Sequence, residues 1–202
     1  DLRTTDPRRV GHKALAVNLS DLAAMAGKPL AAVVALLLPR QGLELARQLY
    51  EGMLPLAERF DLPIAGGDIN SWDGPLAISV TVLGEPSARG PLLRSGARPG
   101  DAILVTGEFG GSILGRHLDV APRIDEALLL HERYELHAGM DVSDGLSLDL
   151  SRLCQESGCG AELFLNQIPI SPDAFELARR RNDGRTPLDH ALCDGEDFEL
   201  LL

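Results

Sequence analysis

The sequence predicts a mixed α+β (α/β) fold. Three observations carry this. Helical and strand-like segments alternate along the whole chain. The most apolar run, Pro29–Pro39 (PLAAVVALLLP), has nine apolar residues between two prolines, which suits a buried strand and is too short to span a bilayer. Apolar residues make up 45% of the 202 residues and charged ones 24%, a globular balance with enough chain to bury a real core.

The elements follow in order. Thr5-Asp6-Pro7 predicts a helix start, with Asp6 as N-cap and Pro7 in the first turn. That helix is expected to run to about Ala26 and to be stopped by Gly27 and Pro29. Residues 31–38 read as a strand. Residues 42–60 have helical periodicity, which Pro55 is expected to kink or end. Residues 62–65 read as a short strand running into Gly66-Gly67-Asp68, and residues 76–83 as a second strand rich in β-formers. Residues 85–100, with three prolines, three glycines and three arginines, read as a connection. It divides the chain into a domain of residues 1–90 and another of residues 91–202. Beyond it the pattern predicts strands at 102–106, 139–142 and 161–165. Helices are expected at 124–138, 143–157 (ended by Gly158) and 172–181, and a final strand begins at 199.

Charge excludes one class of partner. Lys and Arg number 19 against 30 Asp and Glu, a net charge of −11. No basic stripe is available to neutralise nucleic-acid phosphates. A polar segment at Asp1 gives no sign of a signal peptide, and no run predicts membrane insertion. Cys154, Cys159 and Cys193 have no metal-ligand spacing and read as reduced, structural and cytoplasmic.

Carboxylates recur where a purely structural account is awkward. Asp21, in Asn18-Leu19-Ser20-Asp21, shares a helix face with small apolar residues and needs a partner there. Asp68 follows two glycines at a strand end, although a simple turn explains it equally well. In Asp141-Val142-Ser143-Asp144-Gly145 a helix N-cap accounts for one aspartate but not both. Asp194-Gly195-Glu196-Asp197 is either a charged surface loop or part of a site. Together these groups suit hard divalent cations such as Mg²⁺, shared with substrate phosphates. Arg94 is a candidate phosphate contact.

These segments resemble the thiamine-monophosphate kinases, of the superfamily that includes aminoimidazole ribonucleotide synthetase and selenophosphate synthetase. The resemblance rests on GHKALAVNLSDLAAM (residues 11–25), AGGD (65–68), LRSGARPGD (93–101), DVSDGLSLDL (141–150) and DGEDFELL (194–201). It implies the two-domain ATP-binding fold of the aminoimidazole ribonucleotide synthetase type, with a homodimer formed through the N-terminal sheets. It implies ATP- and Mg²⁺-dependent phosphorylation of thiamine monophosphate to thiamine diphosphate. By similarity, Asp21, Asp68, Asp141 and Asp144 match metal-binding aspartates. Gly67, Asp68, Arg94 and Ser143 match nucleotide contacts, and Glu196 matches a contact to the thiamine phosphate. Asp21, Asp141 and Asp144 are the catalytic set so implied.

The family's opening Gly-Asp-Asp and Ser-Thr-Asp segments are expected upstream of Asp1, and its C-terminal domain is expected to be cut short at Leu202. Ile69-Asn70-Ser71 stands where the family has Thr-Thr-Arg, and Asp194-Gly195-Glu196-Asp197-Phe198 where it has Gly-Gly-Glu-Asp-Tyr. A related synthetase, an inactive nucleotide-binding homologue and a metal-dependent phosphatase are the alternative readings. The acceptor would be a phosphate monoester, largely deprotonated at neutral pH because its second pKa is about 6, so no histidine base is required.

Overall fold

The computed structural model describes residues 2–202; Asp1 lies outside them. Helix α1 spans Pro7–Ala24, and the Asp6 carboxylate accepts from the Arg8 N–H, as expected of its N-cap. The helix ends earlier than expected, at Met25, so Gly27 and Pro29 do not stop it. They instead open strand β1, Gly27–Pro39. Helix α2 spans Leu43–Arg59 and passes through Pro55 without ending. Pro55 lies in the last two turns, where the lost N–H removes one hydrogen bond and little helix remains to disrupt. Strand β2 is Ile64–Trp72 and β3 is Ala77–Pro86.

These strands form one sheet in the order β2-β1-β3, with β1 parallel to β2 and antiparallel to β3. The β1–α2–β2 connection is a crossover, which is what a parallel pair requires. Alternation along β1 sends Ala32, Val34, Leu36 and Leu38 into a core with Leu15, Leu19, Leu49, Met53 and Leu56. The other face leaves Val33 exposed, as are Ile69, Trp72 and Leu83 elsewhere on the sheet. Helices α1 and α2 cross in close contact because glycine stands at both crossing points. A Cβ at Gly11 would lie 2.0 Å from the Leu49 carbonyl oxygen, and one at Gly52 would lie 1.8 Å from that of Arg8.

The second half is built from shorter regular elements. Its regular elements are α3 (Ile124–Arg133), β4 (Met140–Asp141), α4 (Leu146–Ser157), α5 (Pro172–Arg181), α6 (Pro187–Cys193) and β5 (Leu200–Leu201). Strand β5 lies between β4 and an extended segment. Leu104 and Leu202 exchange both backbone hydrogen bonds at 2.9 Å, and Thr106 donates to Leu200 at 3.1 Å. The strand expected at 102–106 is thus reduced to a bridge at Val105. None forms at 161–165, which is irregular and followed by a short 3₁₀ turn at Leu165–Gln167. Helix α3 stops at Arg133, short of the expected 138. Helix α5 has its expected bounds, capped by Ser171. A second core gathers Phe109, Met140, Val142, Leu146, Leu150, Leu153 and Leu201. Among the described residues, no helix is long and apolar enough to cross a membrane.

Candidate active site

Three segments distant in the sequence meet at one place. The first is the strand-to-helix corner at residues 141–145. Helix α4 does not begin at Ser143 or Asp144; it begins at Leu146 after Gly145, whose φ is 108°. Neither Asp141 nor Asp144 is therefore an N-cap. The local hydrogen bond runs backward, from the Asp144 N–H to the Asp149 carboxylate at 2.8 Å. Arg152 donates to Asp149 at 2.9 Å and also pairs with Asp144, so a buried and an exposed aspartate share one guanidinium.

The second segment, residues 194–199, runs alongside this corner. Glu196 N–H donates to the Ser143 carbonyl, Phe198 N–H to the Val142 carbonyl, and Val142 N–H to the Glu199 carbonyl, each at 2.8 Å. Glu196 and Phe198 both take left-handed backbone, with φ of 62° and 54°. Strain of that kind in non-glycine residues concentrates at functional sites. This segment is not a plain charged surface loop. Asp197 is buried and accepts from the Gly110 N–H and from Arg116 at 2.9 Å. Burial, opposed by those donors, pushes its carboxyl up to about 6. Asp194 accepts from Gly111 N–H at 3.1 Å and sits 2.9 Å from His190 Nδ1. Asp194 and Asp197 thus hold the glycine loop at 107–111, while Glu196 is turned toward α1.

The third segment is α1 itself. Lys13 Nζ donates to Glu196 Oε1 at 2.6 Å, and its ammonium lies 6.0 Å from the Phe198 ring centroid. Two turns on, the buried Ser20 hydroxyl donates to Asp141 Oδ2 at 2.7 Å. Asp21 and Asp141 line one cavity of about 260 Å³ with Met25, Leu93, Arg94 and Gly139. Arg94 is brought there by its neighbours: Leu92 N–H donates to the Met25 carbonyl, and Gly139 N–H to that of Leu93, both at 2.9 Å. Burial pushes Asp141 up to about 6, helped by the negative charge of Asp21 and opposed by the Ser20 hydroxyl. Partial burial also raises Asp21, and the Arg94 charge opposes it.

Not every expected residue arrives here. Gly67 and Asp68 are not at a turn after a strand. They lie within β2, the edge of the sheet, where Asn70 donates to Asp68 at 2.7 Å. Gly67 is required by packing, since a Cβ there would meet the Val34 carbonyl oxygen at 1.8 Å. Asp68 lines a separate cavity with Tyr50, Leu54 and Ile69. Convergence of all four aspartates in one pocket, expected from the sequence, is not what this chain builds. Among the described residues no three His, Cys, Asp or Glu side chains are placed to hold a metal. The Asp21–Asp141 pair still suits a hard divalent cation. A buried carboxylate whose proton affinity a neighbouring carboxylate raises is a donor that such an ion would relieve. Sequence reasoning missed Lys13, Ser20, Asp149 and Arg152 as contributors. Their signal was only position: Lys13 and Ser20 lie inside the α1 motif, Asp149 and Arg152 just beyond the corner.

Thiamine-monophosphate kinase of Rhodopirellula baltica is 51% identical over 193 residues, covering 95% of this chain and 60% of the relative. That of Aquifex aeolicus is 33% identical over 222 residues, covering 99% of this chain and 70% of the relative. The chain belongs to the thiamine-monophosphate kinase family. Family models agree on the superfamily: "AIR synthase related protein, N-terminal domain" matches residues 1–85, and the corresponding C-terminal domain matches residues 98–187. Among solved structures, AaThiL complexed with AMPPCP and TMP superposes with a TM-score of 0.89 at 31% identity, covering 98% of this chain and 69% of that one. The fold is therefore the aminoimidazole ribonucleotide synthetase type expected from the sequence. This thiamine-monophosphate kinase family member spans 60% of the Rhodopirellula relative's length.

Proposed function

We propose that this chain serves ATP-dependent phosphorylation of thiamine monophosphate to thiamine diphosphate. The observation that carries the reading is the joining of α1 to both acidic segments, through Ser20 to Asp141 and through Lys13 to Glu196. Relatives of the same name, and the family neighbour complexed with AMPPCP and TMP, support the choice of substrates.

In this reading Asp21 and Asp141, which line one cavity, would hold Mg²⁺, and Asp144 stands on the corner that follows Asp141. The ion, when bound, would screen the mutual repulsion of two polyanions and the charge spreading over the transferring phosphoryl group. Ser20 fixes one oxygen of Asp141 and leaves the other for coordination. Arg152 holds Asp144 by its carboxylate beside the corner. Arg94 offers a guanidinium to a phosphate near Asp21. Ser143, whose carbonyl accepts from the Glu196 N–H, faces the nucleotide. Glu196, neutralised by Lys13, meets the thiamine phosphate. The acceptor oxygen is already deprotonated, so positioning for in-line transfer replaces a base. The exposed apolar side chains on the face of the sheet away from the helices, Val33, Trp72 and Leu83, support a homodimer through that surface.

The test uses the full-length protein. Asp141→Asn should lower turnover of ATP with thiamine monophosphate at least about a hundredfold. A near-wild-type rate at saturating Mg²⁺ would remove Asp141 from the site. Calorimetry showing that ATP with Mg²⁺ binds while thiamine monophosphate never does would overturn the substrate assignment.

A further inference from the structure

A second chemically distinct feature lies at the far end of α4. Gly158 takes φ 66° and ψ 28° and ends the helix. Its N–H donates to the Gln155 carbonyl at 3.3 Å, and the Cys159 N–H donates to the Cys154 carbonyl at 3.1 Å. These two nested hydrogen bonds define a Schellman ending. In that motif the first and last residues of the outer ring bring their side chains together, normally as an apolar pair. Here both are cysteines. The two thiols stand near enough for the Cys159 sulfur to raise the Cys154 thiol, and both are free and half-buried. They lie on the wall of a groove shared with Leu153, Gly160, Glu162 and Phe164, open to small molecules.

We infer that Cys154 and Cys159 form a reversible redox site, a dithiol that closes to a disulfide by exchange with a low-molecular-weight disulfide of the glutathione type. The capping turn holds the two backbones adjacent, so rotation of the side chains suffices to join the sulfurs. Chemistry proceeds in two steps. The Cys159 thiolate attacks one sulfur of the small disulfide, forming a mixed disulfide and releasing one thiol. The Cys154 thiolate then attacks the Cys159 sulfur, forming the Cys154–Cys159 bond and releasing the second thiol. Two protein thiols are oxidised, one small disulfide is reduced to two thiols, and the two cysteine protons end on the released thiols. Burial, with the neighbouring sulfur, raises Cys154 above an ordinary thiol, which assigns the first attack to Cys159. The inference does not depend on the phosphotransferase reading.

The experiment equilibrates the full-length protein with glutathione redox buffers, followed by acid quench, alkylation and peptide mass mapping. The expected product is a Cys154–Cys159 link, with Cys193 still alkylated. Cys154→Ser should stop at a stable glutathione adduct on Cys159, which the wild type does not accumulate. Because the native cap pre-organises the pair, the folded protein should close at least about tenfold more readily than the same chain in denaturant. Retention of both thiols, a stable adduct on Cys159 in the wild type, or equal closure in denaturant would each overturn the assignment.

Discussion

Lys13 and Glu196 form an ion pair at 2.6 Å although 183 positions separate them. A lone carboxylate would repel a phosphate; the pair presents little net charge to one. Lys13→Met should therefore raise the KM for thiamine monophosphate more than it lowers kcat, and Glu196→Gln should partly restore it. Both side chains are partly solvated, so a double-mutant cycle on unfolding should give a coupling of at most about 1 kcal/mol. Steady-state kinetics with urea titrations reads both.

Ser20 contributes differently, because its hydroxyl is buried. Ser20→Ala would leave Asp141 without its side-chain donor, costing about 1–3 kcal/mol of stability. It should also move Asp141 further upward and weaken divalent-metal binding. Chemical denaturation and calorimetric Mg²⁺ or Mn²⁺ titration check the two effects separately. Unchanged metal affinity would confine Ser20 to a folding role.

At the α1–α2 crossing, Gly52→Ala gains about 1 kcal/mol of helix propensity yet introduces a Cβ where the Arg8 carbonyl oxygen stands 1.8 Å away. The helices must part, and overpacking of this kind costs about 1–3 kcal/mol or more. We expect net destabilisation and a lower Tm by calorimetry; a raised Tm would contradict the packing described.

Asp141 and Asp197 both sit at about 6, above the ordinary carboxylate value. The folded state therefore binds protons that the unfolded chain has already lost. Their stabilising contribution is complete below the unfolded value and is lost as pH rises through the folded one. In the absence of divalent metal, stability should fall between about pH 4 and 6. Each carboxyl that stays protonated only in the folded chain contributes a slope of about 1.4 kcal/mol per pH unit in that window. Asp141→Asn should flatten this fall and be more stable than wild type at pH 8. Urea unfolding across that range is the measurement.

Legibility of the sequence varied with the locality of the cause. The starts of α1 and α5 are written in Asp6-Pro7 and Ser171-Pro172, where cap and proline are adjacent. Helix α6 carries an equally local signal, the reciprocal Thr186–Asp189 capping box, and passed unread because only seven residues of helix follow it. The length of β2 was hidden: Gly66-Gly67-Asp68 has the chemistry of a turn, and only pairing with β1 keeps it extended. The segment 102–106 has strand composition, yet a single bridge is all that its neighbours supply. For the site, residue types and order along the chain were readable. The separation of Asp68 from Asp21 was not, since it depends on which sheet edge each element occupies.

The backbone pairing of residues 142–144 with 196–199, and the reach of Lys13 across to Glu196, set a schedule for biosynthesis. While the ribosome is still adding the residues before Glu196, α1 and the first sheet can fold, but the partners of Lys13 and Ser143 do not yet exist. The corner at residues 142–144 and its link to Lys13 are consequently among the last parts of this stretch to acquire their native form, and a nascent chain halted shortly before position 196 would carry a folded first sheet and an unpaired corner.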